Sequence, residues 1–202
     1  MKLYYFPGAC SLSPHIALLE TGLPFTTEKV DLHSKKTATG VDYLTINPKG
    51  AVPALLLDDG QVLTEGPAIV QYIADQKPDS GLAPRAGSFE RYRLMELLNY
   101  ISSEVHKSFA PLFNPGTTAD AKKAALDTLG KRFDWLSAHI GNKKFLMGDA
   151  FTVADTYLFT ILSWSGHVGI DLGKWPTLAA YHARVGHRPK VQEALKAEGL
   201  IK

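Results

Sequence analysis

The chain contains a single cysteine, Cys10, in the run Gly8-Ala9-Cys10-Ser11-Leu12-Ser13. Lys2 to Phe6 before it has strand character, and Ser11 or Ser13 with Pro14 opens a helix after it. A thiol at such a junction feels the positive end of the helix dipole and the unpaired N–H groups, and both favour the reactive thiolate. The C-x-x-S spacing suits thiol–disulfide chemistry in a βαβ setting. The alternative is a buried, inert cysteine; the glycine-rich approach and the following Ser-Pro favour a loop and a reactive role. A second group is Ala51-Val52-Pro53-Ala54. Proline cannot donate a ladder hydrogen bond and belongs at a strand start. With Pro53 cis and facing the Cys10 loop, the Val52 backbone N–H and C=O would be open to a peptide-like ligand; a plain trans turn is the alternative. A third is Thr64-Glu65-Gly66-Pro67, where helix N-terminal amides attract a carboxylate and Glu65 offers an anion to an ammonium group. The alternative there is a capping sequence with an incidental acid. Lys35 and Lys36, in a polar loop, are either solvated or hold a second carboxylate.

These groups need elements to position them. Phe25 to Leu32 reads as a second strand. Ala54 to Leu57, Asp58-Asp59-Gly60 and Gln61 to Leu63 read as a hairpin, because Asp-Gly between apolar runs is a strong turn signal. Gly66-Pro67 opens a helix whose apolar face carries Ile69, Val70, Tyr72 and Ile73. The order over residues 1–76 is β-α-β, a connector, then β-β-α. Residues 77–87 are rich in Pro, Gly, Asp and Ser and read as a linker. Beyond it the spacing is helical throughout: Leu94, Leu98, Ile101 and Val105, then Leu126, Leu129, Phe133 and Leu136, then helices at 152–169 and 176–198. Thr152 to Asp155 reads as a capping box with Asp in place of Glu. The fold class is α+β: a small mixed-sheet domain at 1–78, a linker at 79–86 and an all-helical domain at 87–202.

Lys+Arg is 22 against Asp+Glu 20, a net charge of +2 that gives no support to nucleic-acid binding. One cysteine cannot build a disulfide framework or a cysteine-based zinc site, so no metal is expected, and a reducing compartment fits. The N-terminus lacks the apolar core of a secretory signal. The longest charge-free helical stretch, Thr156 to Ile170, is shorter than the ~20 residues of a membrane span. A soluble cytoplasmic protein with no nucleic-acid or membrane partner is expected.

The ligand these groups call for has an amino-acid zwitterion at one end, a peptide backbone in its middle, a thiol near Cys10 and a further carboxylate. Glutathione has that set. The sequence resembles the bacterial beta class of glutathione transferases over essentially its whole length. The segments that carry the resemblance are Lys2 to Tyr5, Pro7 to Ser13, Asn47 to Leu55, Leu63 to Gly66 with Ile69, Asn99 to Ile101, Phe151 to Asp155, Arg188-Pro189 and Ala197 to Leu200. Several of them, with the Gly199-Leu200-Ile201-Lys202 ending, also resemble the subgroup of aromatic-degradation pathways.

The resemblance implies a thioredoxin-like N-terminal domain, an all-helical C-terminal domain and a homodimer. It implies that Cys10 lies beside the glutathione sulfur, that Lys35 binds the glycyl carboxylate, and that Val52 pairs with the cysteinyl backbone with Pro53 cis. Glu65 and Gly66 would hold the γ-glutamyl end. The first long helix of the partner subunit would complete the site with Asn99, Ser103, Glu104 and His106. Asn99, Ser103 and His106 stand at i, i+4 and i+7, on one face of a regular helix. Many transferases carry Ser where this chain has Gly66, which removes a hydroxyl contact and leaves the backbone N–H. Tyr5 is expected either to be structural or to support the groups that touch the ligand.

The leading expectation is conjugation of glutathione to hydrophobic electrophiles, dehalogenation included, with Cys10 and His106 as the catalytic groups. The electrophile is expected near Phe109, Leu112, Phe113 and Trp164. No permanently bound cofactor is expected, glutathione being a co-substrate. Two alternatives stand beside it: a glutathione-dependent disulfide reductase or peroxidase acting through a Cys10 mixed disulfide, and a non-catalytic module that binds glutathione or hydrophobic ligands.

Overall fold

The computed structural model describes residues 1–202, which divide into two compact units, Met1–Ala83 with His187–Lys202, and Pro84–Gly186. The first unit holds a five-stranded sheet in the order β3-β2-β1-β4-β5: β1 Lys2–Tyr5, β2 Thr26–Asp31, β3 Lys36–Thr37, β4 Ala54–Leu56 and β5 Val62–Thr64. β1 runs parallel to β2 and antiparallel to β4, and β5 and β3 add antiparallel edges. Side chains alternate across the sheet. Tyr4 therefore joins Val30, Tyr43, Val52 and Ala54 on one face. Leu3 and Leu55, paired in register and fully buried, point to the other. Helices α1 (Leu12–Thr21) and α2 (Gly66–Gln76) pack on one another and supply Ile16, Ala17, Ile69, Val70 and Ile73 to the core.

The hairpin closes as its Asp-Gly signal requires. Leu57 N–H donates to the Gln61 carbonyl at 2.8 Å, and Gly60 takes a φ of 86° that side-chain-bearing residues avoid. Lys36 belongs to β3, a two-residue strand too short to leave a periodic signal, and not to the polar loop expected there.

The second unit is helical: α3 Phe89–Tyr100, a π-helical stretch Ile101–His106, α4 Lys107–Phe113, α5 Ala119–Ile140, α6 Val153–Leu162 and α7 Pro176–Gly186. Every residue of α6 is buried, and its first turn is organised by Asp155. The Asp155 carboxylate accepts from Thr152 N–H at 2.8 Å, closing the expected capping box, and from Leu146 N–H and the Tyr181 hydroxyl, each at 2.9 Å. The core stripe of α5 runs through Ala125, Leu129, Phe133, Leu136 and Ile140, while Leu126 is exposed, contrary to the expected stripe.

The helix expected over 152–169 ends at Leu162 in a 3-10 turn, and the one over 176–198 is broken at Arg188-Pro189. Pro189 has no N–H to continue the hydrogen-bond ladder of α7, and it starts α8, Pro189–Ala197. α8 packs on α1, so His187–Lys202 groups with the sheet unit and not with the helical domain drawn from the sequence over 87–202. Arg188 completes that attachment with a bidentate pair to Glu20 at 2.8 and 2.9 Å. No helix is long and apolar enough to cross a membrane.

Candidate active site

β1 ends at Tyr5 and α1 begins at Leu12, so Phe6 to Ser11 forms the connecting loop that carries Cys10. Ser11 occupies the N-cap position of α1 but does not cap it. Its Oγ accepts from Phe6 N–H at 3.1 Å and lies 3.2 Å from the Phe6 carbonyl, to which it donates, so it closes the loop on itself. At Gly8, with φ 71°, the backbone N–H donates to Oε2 of Glu198 at 2.9 Å. The other oxygen of Glu198 meets Nδ1 of buried His15, on α1, at 2.8 Å. The loop is thus fastened to α1 and to the chain's last residues. A separation of 183 residues hides that contact from local sequence patterns.

Cys10 is half-buried, and its Sγ–H donates to the Val52 carbonyl at 3.2 Å. This overturns the expected thiolate. Burial pushes the thiol up to about 11; the Cys10 and Ser11 backbone amides at the helix start pull the other way and are outweighed, and the Glu65 charge adds to the rise. The helix terminus is present, but desolvation wins. Tyr5 is also raised by burial, and its ring lies 6.0 Å from His15, in keeping with a structural role.

The acceptor of that thiol is set in a well-held segment. The Val52–Pro53 bond is cis, as expected. The Ala51 carbonyl one residue earlier accepts from the Tyr43 hydroxyl at 2.8 Å and from Asn47 Nδ2 at 2.7 Å. Asn47 and Tyr43 were not singled out from the sequence as site residues; a buried Asn before a Pro-Lys-Gly turn was the available signal. Lys35 lies against the same segment, its Nζ donating to the Gly50 carbonyl at 2.8 Å.

Glu65 takes the N-cap position of α2 with φ 71°, and Lys35 has φ 55°; they are the two non-glycine residues with positive φ. Strained backbone of this kind persists where surroundings enforce it, and it clusters at functional sites. The Glu65 carboxylate already holds an ammonium group: Lys49 Nζ lies 2.6 Å away and also donates to Thr64 Oγ1 at 2.8 Å. Lys49 is a further residue that sequence reasoning missed. Gly66 follows as the first residue of α2, and a Cβ placed there would meet nothing within 4 Å. Cys10, Lys35, Val52, Pro53, Glu65 and Gly66 all belong to the sheet unit: Lys35 in the turn between β2 and β3, Val52 and Pro53 just before β4, and the others at the starts of α1 and α2.

Asn99, Ser103, Glu104 and His106 belong to the second unit, and they do not share one face as the i, i+4, i+7 spacing suggested. The π-helical stretch at 101–106 is the reason. A π turn spends an extra residue, which rotates the residues beyond it by about 100°. Asn99 and Ser103 remain exposed neighbours, with Ser103 Oγ donating to the Asn99 carbonyl at 3.0 Å. Glu104 pairs with Arg132 of α5 at 2.5 Å. His106 turns inward, with Nδ1 2.7 Å from the Tyr157 hydroxyl and its ring 4.8 Å from that of Trp164. Burial first, and the Lys107 charge second, lower it to about 4, so it is neutral at pH 7. Around Trp164 stand Phe109 and Phe113 at 5.6 and 5.5 Å between ring centroids; Leu112 is half-buried beside them in sequence.

A loop thiol bonded to a cis-proline segment, within a β-α-β then β-β-α sheet unit and accompanied by a helical unit, defines a class. Residues 8–76 match the glutathione S-transferase N-terminal domain and residues 100–189 the C-terminal domain. The chain is 48% identical over 200 residues to the glutathione S-transferase GstA of Escherichia coli O157:H7, covering 99% of this chain and 100% of that one. Among solved structures, a beta-class glutathione S-transferase of Sphingomonas chungbukensis matches with 54% identity and a TM-score of 0.97 over 100% of both chains. A sphingomonad glutathione S-transferase complexed with glutathione matches with 52% identity and a TM-score of 0.96, again over 100% of both. The chain belongs to the glutathione S-transferase family.

Proposed function

We propose that the chain is a glutathione transferase in which a protonated Cys10 assists the glutathione thiolate without acting as the nucleophile. The observation that carries this reading is the Cys10 S–H bond to the Val52 carbonyl, in a thiol pushed up to about 11. When glutathione binds, its cysteinyl N–H takes over the Val52 carbonyl, and the single Cys10 S–H, released from that carbonyl, turns to donate to the glutathione sulfur and stabilises it as a thiolate. A Cys10 thiolate would repel it. The glutathione thiol gives its proton to solvent, its sulfur attacks an electrophilic carbon, and the leaving group, a halide where the substrate carries one, departs with the bonding pair.

The remaining groups divide the ligand between them. The Val52 backbone pairs with the cysteinyl peptide, and Lys35 takes the glycyl carboxylate. Glu65 takes the γ-glutamyl ammonium in place of Lys49, and the Gly66 amide at the α2 start takes the γ-glutamyl carboxylate. The E. coli relative's name and the glutathione complex of the sphingomonad relative support glutathione as co-substrate. The electrophile is assigned to the aromatic cluster of Phe109, Phe113 and Trp164. A homodimer completes the arrangement through Asn99 and Ser103. Support comes from the exposed Phe89, Tyr92 and Met95, which continue along α3 toward Asn99 at helical spacing. His106, neutral at pH 7, serves as a hydrogen-bonding group and not as a cation.

Redox chemistry through Cys10 is the weaker reading, because its nucleophile would be ionised at only about one part in ten thousand at pH 7. Cys10→Ala separates the two. Conjugation of glutathione to an activated aryl halide is expected to continue at a reduced rate, within roughly a hundredfold, the cost of one hydrogen bond to a charged sulfur. Complete loss of conjugation with glutathione affinity retained would make Cys10 the nucleophile and reverse the assignment.

A further inference from the structure

The peptide that joins Ala51 to Val52 is held at one end only. Its carbonyl, on Ala51, accepts from the Tyr43 hydroxyl at 2.8 Å and from Asn47 Nδ2 at 2.7 Å, which occupies both lone pairs of the oxygen. Its N–H, on Val52, has no acceptor within the chain, although Val52 is buried. A buried N–H without an internal acceptor is uncommon, and an arriving ligand can satisfy it. The two donors are themselves fixed. Tyr43 is fully buried, its ring 5.8 Å from that of Tyr4. Burial pushes its phenol up to about 12, so at pH 7 the hydroxyl keeps its proton and donates. Asn47 is buried too, and both ends of its amide are engaged, since Oδ1 accepts from Lys49 N–H at 3.2 Å. That pattern settles which end is the donor.

Both side chains come from one short segment. Tyr43–Thr45 is a 3-10 turn capped by Asp42, whose carboxylate accepts from Leu44 N–H at 3.0 Å, and Asn47 N–H returns to the Tyr43 carbonyl at 2.9 Å. Tyr43 N–H donates in turn to the Lys35 carbonyl at 2.8 Å, so the segment also holds the turn that carries Lys35.

The Ala51–Val52 bond is trans, and in a trans peptide the C=O and N–H point in opposite directions. Two bonds that fix the Ala51 oxygen therefore fix the direction of the Val52 N–H. They also polarise the amide and make that N–H a stronger donor, linked hydrogen bonds strengthening one another by about 10–30% each. We infer that Tyr43 and Asn47 are positioning residues for glutathione: acting through the Ala51–Val52 peptide, they aim and strengthen the Val52 N–H that donates to the cysteinyl carbonyl. The inference rests on the assignment of the Val52 backbone to the cysteinyl peptide.

The test is titration calorimetry on the intact protein with two ligands, S-methylglutathione and its analogue in which glycolate replaces glycine. The analogue keeps the terminal carboxylate but turns the cysteinyl amide carbonyl into an ester carbonyl, a weaker acceptor. The wild type is expected to bind the ester about tenfold less tightly. Tyr43→Phe keeps the ring and removes only the hydroxyl. It is expected to weaken the amide ligand about three- to tenfold and to shrink the ester penalty to about threefold or less. Asn47→Ala is expected to shrink the penalty as well, so the comparison stands on two variants, with melting temperatures as the check on folding. Lys35→Ala, which loses the carboxylate contact instead, is expected to weaken both ligands equally and to keep the full penalty. An undiminished penalty in either folded variant would overturn the inference for that residue and leave the glutathione site in place. Equal binding of the two ligands by the wild type, or no binding of either at millimolar concentration, would remove the Val52 assignment itself and the inference with it.

Discussion

The state of Cys10 can be measured directly, because the chain has no other cysteine and any thiol adduct reports on this residue alone. An ordinary thiol with a pKa of 9.0 is about 1% ionised at pH 7; one at about 11 is ionised a hundredfold less. The rarer thiolate is the better nucleophile. With a Brønsted slope of about 0.4–0.5, two pK units return roughly six- to tenfold. Alkylation by iodoacetamide at pH 7 should therefore run on the order of tenfold slower than for a free thiol, and partial burial slows it further. Mass spectrometry of the intact chain against time gives the rate. Slowness alone would fit simple shielding, so the pH profile decides: the logarithm of the rate should climb steadily to about pH 11. A plateau at or below pH 8.5 would refute the desolvation argument and restore the thiolate. The linkage has a matching sign. Because the folded-state pKa is raised above the unfolded value, the folded chain holds the proton more tightly between pH 9 and 11. The resulting stability is complete below pH 9 and is lost as pH rises through 11. The urea midpoint of the wild type should fall more over that window than that of Cys10→Ala.

Lys35→Ala should weaken glutathione binding about ten- to a hundredfold by calorimetry with an unchanged melting temperature, since a charge-assisted bond is removed from a half-buried loop; unchanged affinity would remove Lys35 from the site. Gly66→Ser should fold normally, because the space beside Gly66 is open, and should tighten glutathione by several-fold through an added hydroxyl; weaker binding would place the γ-glutamyl carboxylate elsewhere. Asp155→Ala should lower stability by roughly 3 kcal/mol or more in urea titration, because it strands the donors of Leu146, Thr152 and Tyr181 in a fully buried position; a loss under 1 kcal/mol would show that water replaces it. Sedimentation should give a dimer, and Tyr92→Glu on the exposed stripe of α3 should shift it toward monomer and reduce activity; a fully active monomer would remove the shared-site proposal.

What could be read from the sequence and what could not have a common physical origin. Local rules located β1, α1, the Asp-Gly hairpin, the Pro-started α2 and the capping box of Asp155, because each depends on residues within a few positions of one another. They also named Cys10, Val52, Pro53, Lys35 and Glu65, and the structure joins Cys10 to Val52 directly. What failed was the balance among effects that meet in space. The dipole effect at Cys10 has the expected sign, but the desolvation that overrides it depends on how the segment around Val52 covers the thiol, which no local pattern contains. The helical spacing of Asn99, Ser103 and His106 assumed a constant period, and a π turn between them broke it. Pro111 lies inside α4, one turn downstream, and its missing N–H leaves the Lys107 carbonyl without its usual partner. The consequence is functional: the π turn leaves Asn99 and Ser103 facing solvent while it turns His106 inward to Tyr157 and Trp164, so one continuous helical rod presents two different surfaces within two turns.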